Sequence, residues 1–262
     1  MAPARLPFWL LRTLTLAVAL TFIVGSKSDL HAQGALVEAL IPYAKQDYAE
    51  ATRLLVPLAS QGDAIAQLTL GRMHLRAEGV PQNSFAAFEW LRLATEQGNP
   101  DAQFELGVMH RDGVGTVVDG QLALQWFKRA ADRGAPAAFN AIGELYLNHP
   151  DVPRNVRIAF EWFSLGAEMD SAEAMYNLGM HYALGREGAP NEVAAFEWFD
   201  LAAGFDAGDV HEKAVRARVA LAERLTPLQV WAAKVGAQRW RQNVCCAPNF
   251  SSASGVAPVR TE

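Results

Sequence analysis

The chain has 262 residues, of which 51% are hydrophobic and 19% are charged, and its formal net charge is −5. Its 20 Gly and 13 Pro residues are an ordinary share, which excludes collagen and low-complexity disorder as the main character of the molecule. The acidic balance gives no reason to expect a nucleic-acid partner. The two Cys residues, Cys245 and Cys246, are adjacent and provide neither a disulfide framework nor metal-finger spacing.

The N-terminal segment has the features of a secretory signal peptide. Arg5 and Arg12 precede an apolar run, 14–24, which is shorter than the roughly 18 residues that a spanning helix needs. We expect cleavage after Ala32, with Ser26 as the second choice. Residues 1–32 would then be a signal peptide and the mature protein would be periplasmic or secreted, with no stable membrane span. The alternative is an uncleaved N-terminal anchor.

Several residue types recur along the chain with a fixed period of 36. The period holds for recurring Ala residues and for one Gly and one Trp in each unit. These are Gly71, Gly107, Gly143 and Gly179, and Trp90, Trp126, Trp162 and Trp198. A fixed period of this length is typical of stacked helix pairs, because one pair cannot bury its own apolar face. We therefore predict an all-α fold, a right-handed α-solenoid of antiparallel helix pairs.

Each unit is predicted to contain two helices, and capping residues mark where they begin. The second helix of each unit follows a residue that is a preferred N-cap, at Asn83, Asp119, Asn155 and Asn191. The recurring Gly lies inside the first helix, where it costs about 1 kcal/mol relative to Ala. It therefore indicates close approach of another helix. The Trp ladder is predicted to form the seam between repeats, in preference to an exposed aromatic platform for bases or glycans.

The predicted solenoid covers residues 33–205. It begins with a shortened copy, 34–62, and continues with four units of 36 residues. Residues 206–241 are predicted to form capping helices, and 242–262, rich in Ser, Ala and Pro, a disordered tail.

One unit carries most of a known repeat motif. The stretch 102–107, followed by Gly113, Asp119, Ala123 and Trp126, resembles the Sel-one-like repeat, a slightly longer relative of the tetratricopeptide repeat. This resemblance implies an adaptor that holds protein complexes together or regulates envelope signalling or secretion. A cysteine-rich exported branch of that family has been connected with β-lactam binding or hydrolysis, but this chain has no Cys within its repeats.

The chain departs from the family pattern in two places. His74 and His110 stand where the family usually has Tyr, and we interpret them as packing residues. The loop of the third unit, 149–153, lacks the usual pair of Gly residues, and we expect it to be more rigid than the equivalent loops.

No metalloprotease, hydrolase, Walker or dinucleotide-binding motif occurs in the sequence. We therefore predict no catalytic, cofactor-binding or metal-binding residues. The candidate site is instead a partner-binding face on the first helices, at positions that vary between units: Thr69, Arg72, Arg76, Glu105, Val108, Asp112, Glu144, Asn148, Asn177 and Met180.

Two functions remain open at this point. The favoured one is an exported scaffold or adaptor, without enzymatic activity, that binds an envelope protein or an extended peptide. The same adaptor held by an uncleaved anchor is a variant of it. The second function is a β-lactam-binding protein or a hydrolase directed at the cell wall, which depends on family analogy alone. Self-association is not predicted in either direction.

Overall fold

A computed structural model describes residues 27–205 and 208–246. In these residues all regular secondary structure is α-helical, and adjacent helices pack as pairs within each part of the chain, which confirms the predicted all-α fold of helix pairs. The chain divides into two compact units between Gln82 and Asn83.

The first unit contains three helices, and each packs against the next. They are α1 (Lys27–Ala44), α2 (Tyr48–Ser60) and α3 (Ala64–Arg76). The segment 34–62, predicted as a shortened copy, therefore contains a turn between two helices. The signal-peptide prediction falls mainly on residues 1–26, which lie outside the described residues, and α1 runs through the expected cleavage point after Ala32.

The second unit contains nine helices within its described residues. They are α4 (Ser84–Glu96), α5 (Pro100–Asp112), α6 (Gly120–Asp132), α7 (Pro136–Asn148), α8 (Val156–Glu168), α9 (Ala172–Ala183), α10 (Glu192–Ala202), α11 (Asp209–Ala222) and α12 (Pro227–Cys246). Helices α5 and α6, α7 and α8, and α9 and α10 are the pairs of the second, third and fourth repeats. None of the described helices in the chain is both long and apolar enough to cross a bilayer.

The predicted capping residues begin the second helix of every repeat. Each side-chain oxygen accepts a hydrogen bond from the backbone N–H three residues later, at 2.8–3.0 Å, and these caps are Asn83, Asp119, Asn155 and Asn191. This bond satisfies one of the four N–H groups that a helix start leaves unpaired. The start of the second helix of each repeat was therefore predicted correctly from the sequence.

The recurring Gly marks the closest approach between the two helices of a repeat. A Cβ added at Gly107, Gly143 or Gly179 would lie 2.4–2.6 Å from a ring carbon of Phe127, Phe163 or Phe199, respectively, on the partner helix. These three Phe side chains are fully buried and are among the largest such side chains in the described residues. The missing side chain of each Gly is thus the space that the Phe ring occupies, which confirms the prediction of close helix approach.

The Trp residues do not form the predicted buried seam. Trp162 is buried, but its ring packs on Phe139 of the same repeat, with centroids 5.9 Å apart. Trp90, Trp126 and Trp198 are only half-buried. The physical reason is the helical rotation of about 100° per residue. The residue after Trp126, Trp162 or Trp198 is the Phe that packs against the Gly of the partner helix, and the Trp itself is rotated away from that contact.

The last two helices, α11 and α12, both pack on α10. Trp240 of α12 meets Trp198 edge-on, with ring centroids 5.5 Å apart. The final helix was predicted to end near residue 241 and to be followed by a disordered tail from 242. That boundary was wrong, because α12 continues to Cys246, and residues 247–262 lie outside the described residues.

We predict that Gly143→Ala destabilises the protein by about 1–3 kcal/mol, because the new Cβ would overlap the Phe163 ring. In an open helix the same change would stabilise by up to about 1 kcal/mol. The measurement is urea unfolding followed by circular dichroism. Gly188→Ala, in the loop before α10, is the control for adding a methyl group without a clash, because a Cβ at Gly188 meets nothing within 4 Å. Adding Phe163→Leu to Gly143→Ala should restore part of the loss. An unchanged unfolding midpoint for Gly143→Ala would contradict the packing role.

A second prediction concerns Glu197, whose carboxylate lies under α12 where a Cβ at Gly236 would be 2.5 Å from Oε2. Burial raises the pKa of Glu197. The folded state therefore binds the proton of Glu197 more tightly than the unfolded state does. The resulting contribution to stability is fully present below the ordinary pKa of 4.5, and it is lost as the pH rises through the higher pKa of the folded state.

Glu197→Gln removes the free-energy cost of burying the charged carboxylate. At pH 7 it should therefore raise stability, by less than about 1 kcal/mol because the carboxylate is only half-buried. The gain should disappear below pH 4.5. The control is Glu161→Gln at the equivalent position of the third repeat, where Glu161 pairs with Arg157 at 3.3 Å and no gain is expected. Thermal unfolding at several pH values measures both, and a gain that does not vary with pH would contradict the interpretation.

Candidate partner-binding surface

The first helices of the second, third and fourth repeats carry a row of half-buried and exposed polar side chains. We call this the first-helix surface, and define it by Glu105, Arg111 and Asp112 on α5, Asn140, Glu144 and Asn148 on α7, and Asn177 on α9. Five of these residues belong to the face predicted from the sequence. Asn140 and Arg111 were not predicted, although Asn140 lies one helical turn before Glu144 on the same face of α7.

Three side chains of this surface form a hydrogen-bonded cluster that joins two repeats. The Nδ2 group of Asn177 donates to Oδ1 of Asn140 at 2.8 Å and reaches Oε1 of Glu144 at 3.5 Å. The Nδ2 group of Asn140 donates to the same Glu144 oxygen at 3.1 Å. The structure thus brings predicted residues of two repeats, Glu144 and Asn177, into one site.

The end of α5 adds a charged pair to the same surface. Arg111 donates from Nε and Nη2 to the two carboxylate oxygens of Asp112, at 2.7 and 2.8 Å. This pairing lowers the pKa of Asp112 and raises the pKa of Arg111, to which the Glu144 carboxylate adds a smaller contribution. The surface therefore carries one guanidinium, that of Arg111, among the carboxylates of Glu105, Asp112 and Glu144.

Three residues of the predicted face pack against other parts of the protein. Thr69 is buried, and its hydroxyl donates to the carbonyl oxygen of Ile65 at 2.7 Å. Val108 and Met180 are half-buried and pack against hydrophobic clusters of the core. Thr69 is therefore not available to a partner, and variation between repeats could not show this because it does not separate a solvent-facing position from one at the edge of the core.

Two further residues of the predicted face, Arg72 and Arg76, lie on α3 in the first unit. Arg72 is half-buried and Arg76 is exposed. They are not grouped with the first-helix surface, which belongs to the second unit.

The loop of the third repeat packs on the start of α6 in the second repeat. A carboxylate oxygen of Asp151 accepts from the backbone N–H of Gly120 at 3.1 Å, and its carbonyl oxygen accepts from Nε2 of Gln121 at 2.7 Å. His149 fills the space over Gly120, where a Cβ would lie 2.2 Å from Nδ1 of His149. These contacts replace the Gly pair that the other loops use. The greater rigidity expected of this loop remains a prediction.

His110 is a buried packing residue, as interpreted from the sequence. Its ring meets Phe88 edge-on, with centroids 6.0 Å apart, and burial lowers its pKa. His74 is more exposed, and its Nδ1 lies 3.3 Å from the carbonyl oxygen of Pro81. Within the described residues, no group of three His, Cys, Asp or Glu side chains is placed to hold a metal ion. The side chains of Cys245 and Cys246 lie outside the description.

Packed helix pairs with a varied polar surface define the class of helical-repeat proteins that bind other proteins. Comparison with known families identifies the repeat itself. The Sel1 repeat model matches residues 64–99, 100–134, 136–171 and 172–203, which is more than half of the chain. The chain belongs to the Sel1 repeat family. Proteins of this family are in general scaffolds for protein–protein interaction and are typically not catalytic.

One solved structure of this family has the same fold, and two others show a weaker similarity. A Sel1 repeat protein from Oxalobacter formigenes is 27% identical, with a TM-score of 0.65 over 92% of this chain and 98% of that protein. The protective antigen c5321 of uropathogenic Escherichia coli is 23% identical, with a TM-score of 0.48 over 86% of this chain and 58% of that protein. The immunity protein Pa5087 of Pseudomonas aeruginosa is 17% identical, with a TM-score of 0.49 over 73% and 82%. No curated protein matches the sequence.

We predict that Asn177→Ala lowers the stability of the protein by about 1 kcal/mol, because it removes the hydrogen bond that joins α9 to Asn140 on α7. The double variant with Asn140→Ala should cost less than the sum of the two single variants, since both remove the same bond. Urea unfolding gives the three values. The control is Asn148→Ala, an exposed Asn at the end of α7, which should change stability little. Additive losses at residues 140 and 177 would contradict a shared bond.

Proposed function

We propose that this protein is an exported adaptor of the cell envelope that binds an extended segment of another protein on the first-helix surface. The proposal assigns it a scaffolding or regulatory role and no reaction of its own. The family supports protein binding, and the N-terminal sequence supports export.

The observation that carries the proposal is the cluster of Asn140, Glu144 and Asn177. An Asn amide offers two N–H donors and an oxygen with two acceptor positions. Among the described residues the cluster uses only part of this capacity, since Asn177 donates from Nδ2 while its amide oxygen is available. An extended peptide presents alternating N–H and C=O groups, which are the complement of such side chains. Half-buried polar groups also strengthen the hydrogen bonds that a partner forms with them.

Variation around the cluster supports selectivity for one partner. The surrounding charges, Arg111, Asp112 and Glu144, belong to positions that are not repeated from unit to unit. Repeat packing does not require these charges, because the buried Gly and Phe residues are what hold the helices together. Charged groups at the edge of an interface set partner choice and association rate more than affinity.

We expect the tagged, exported protein to recover a partner from the envelope fraction in near-stoichiometric amounts. The double variant Asn140→Ala with Asn177→Ala should lose that partner, because it removes the amides that meet the peptide backbone. Gln125→Ala, an exposed amide on the second-helix side, is the matched control and should retain it. A charge reversal at Arg72 and Arg76 tests the part of the predicted face that lies on α3.

Recovery of the same partner by all of these variants would contradict binding at the first-helix surface. Intact mass of the exported protein separates cleavage after Ala32 from an uncleaved anchor. A protein found entirely in the cytoplasmic fraction would contradict the envelope part of the proposal.

A further inference from the structure

The second unit contains a cavity of about 320 Å³ where α10 ends, between the junction of α8 with α9 and the last helix, α12. This volume is in the range of protein ligand pockets. Its walls combine apolar side chains with one carboxylate and one guanidinium group. The apolar part is formed by Met175, Leu201, Phe205 and Trp240, and the charged part by Asp170 and Arg241. The cavity is separate from the first-helix surface.

Asp170 departs from the repeat pattern at a strained backbone position. The equivalent residues of the preceding units are Gly62, Gly98 and Gly134, which have φ angles of +97°, +78° and +80°. Asp170 has a φ angle of +60°, in the left-handed region, which costs a non-Gly residue about 1 kcal/mol. The chain thus carries a strained Asp where Gly would be relaxed, and places it on the wall of a cavity. Strain of this kind is concentrated at functional sites.

One residue of the apolar wall varies between repeats. Phe205 takes the place that Gln97, Arg133 and Met169 occupy in the first three repeats, whereas Leu201 keeps the Leu of the first and third repeats. In the second repeat the Arg133 side chain covers the Gly position, 3.5 Å from a Cβ built on Gly98. In the fourth repeat the corresponding pair is Phe205 with Asp170, and both line the cavity. The charged side chain of Arg133 in the second repeat is thus replaced in the fourth repeat by the apolar side chain of Phe205, next to the carboxylate of Asp170.

Arg241 supplies a positioned positive charge. Its Nη2 donates to the backbone carbonyl oxygen of Asp200 at 3.1 Å, and it lies where a Cβ on Gly204 would be 2.8 Å away. This contact uses one of the five N–H donors of the guanidinium. Trp240, the preceding residue, is held edge-on against Trp198. The cavity therefore has a fixed aromatic wall next to a guanidinium that retains further donors.

We propose that this cavity binds the C-terminal residue of a partner polypeptide whose last side chain is apolar. The side chain fills the space between Met175, Leu201, Phe205 and Trp240, and the terminal carboxylate binds Arg241, because a guanidinium matches a carboxylate with two parallel hydrogen bonds. The Asp170 carboxylate accepts a hydrogen bond from a backbone N–H of the peptide. The proposal rests on the adaptor function only in expecting a protein partner.

The test is fluorescence anisotropy with the exported protein and a fluorescein-labelled five-residue peptide that ends in Phe. The free-acid peptide should bind, and the same peptide with an amidated C-terminus should bind at least about tenfold more weakly, because the amide removes the charge that Arg241 recognises. Arg241→Gln should weaken the free-acid peptide by a similar factor. Arg239→Gln, an exposed Arg on the same helix that does not line the cavity, is the matched control.

Asp170→Gly provides a test that loss of folding cannot imitate. It relieves the positive φ angle, so the variant should unfold at a higher temperature than the parent while binding the peptide more weakly. Unchanged affinity in this more stable variant would overturn the role of Asp170. No binding of the free-acid peptide, or equal binding of its amide, would overturn the proposal.

N-acetylphenylalanine carries the same carboxylate and side chain without a peptide. It should compete with the free-acid peptide, because it carries the side chain, the carboxylate and one amide N–H that the proposed site recognises, and failure to compete would overturn recognition of the terminal residue. The Asn140→Ala with Asn177→Ala variant should bind the free-acid peptide as the parent does. Its behaviour separates failure of this site from failure of the first-helix surface.

Discussion

The insertion of a Phe ring into the gap left by a Gly holds each helix pair of the second unit together. At Gly107, Gly143 and Gly179 there is no room for even one more carbon atom, because the ring of the partner helix stands within 2.6 Å of where it would be. Helices normally pack with axes 8–10 Å apart at a distance set by the side chains at the contact. A Gly facing a Phe permits a close approach of the two helices in the second, third and fourth repeats.

This constraint explains why the chain tolerates so much variation elsewhere. Once the Gly and Phe positions and the N-cap residues are kept, each repeat can change its loop, its exposed helix faces and its polar residues without losing the pairing of its helices. The loop of the third repeat shows this freedom, since His149 and Asp151 pack on the start of α6 in place of a Gly pair. Functional differences are therefore expected where repeats depart from one another, and the two sites proposed above are both departures of this kind.

The two sites suit different parts of a protein partner. The first-helix surface presents amides and carboxylates on neighbouring repeats, which suits an extended backbone. The cavity at the end of α10 presents an apolar wall with Arg241, which suits one side chain and a carboxylate. A scaffold of rigid repeats can carry both, because each site is built from helices whose positions are fixed by the core.

The sequence by itself determined the all-helical fold, the unit of 36 residues, the N-caps and the close approach at Gly107, Gly143 and Gly179. These features repeat, and a repeated local signal can be recognised without knowing which residues meet in space. It did not determine that Phe127, Phe163 and Phe199, and not the neighbouring Trp residues, fill the gaps. The sequence also did not show that Thr69 is buried or that Asn140 reaches Asn177. These outcomes depend on helix rotation and on contacts between repeats, and only the tertiary structure decides them.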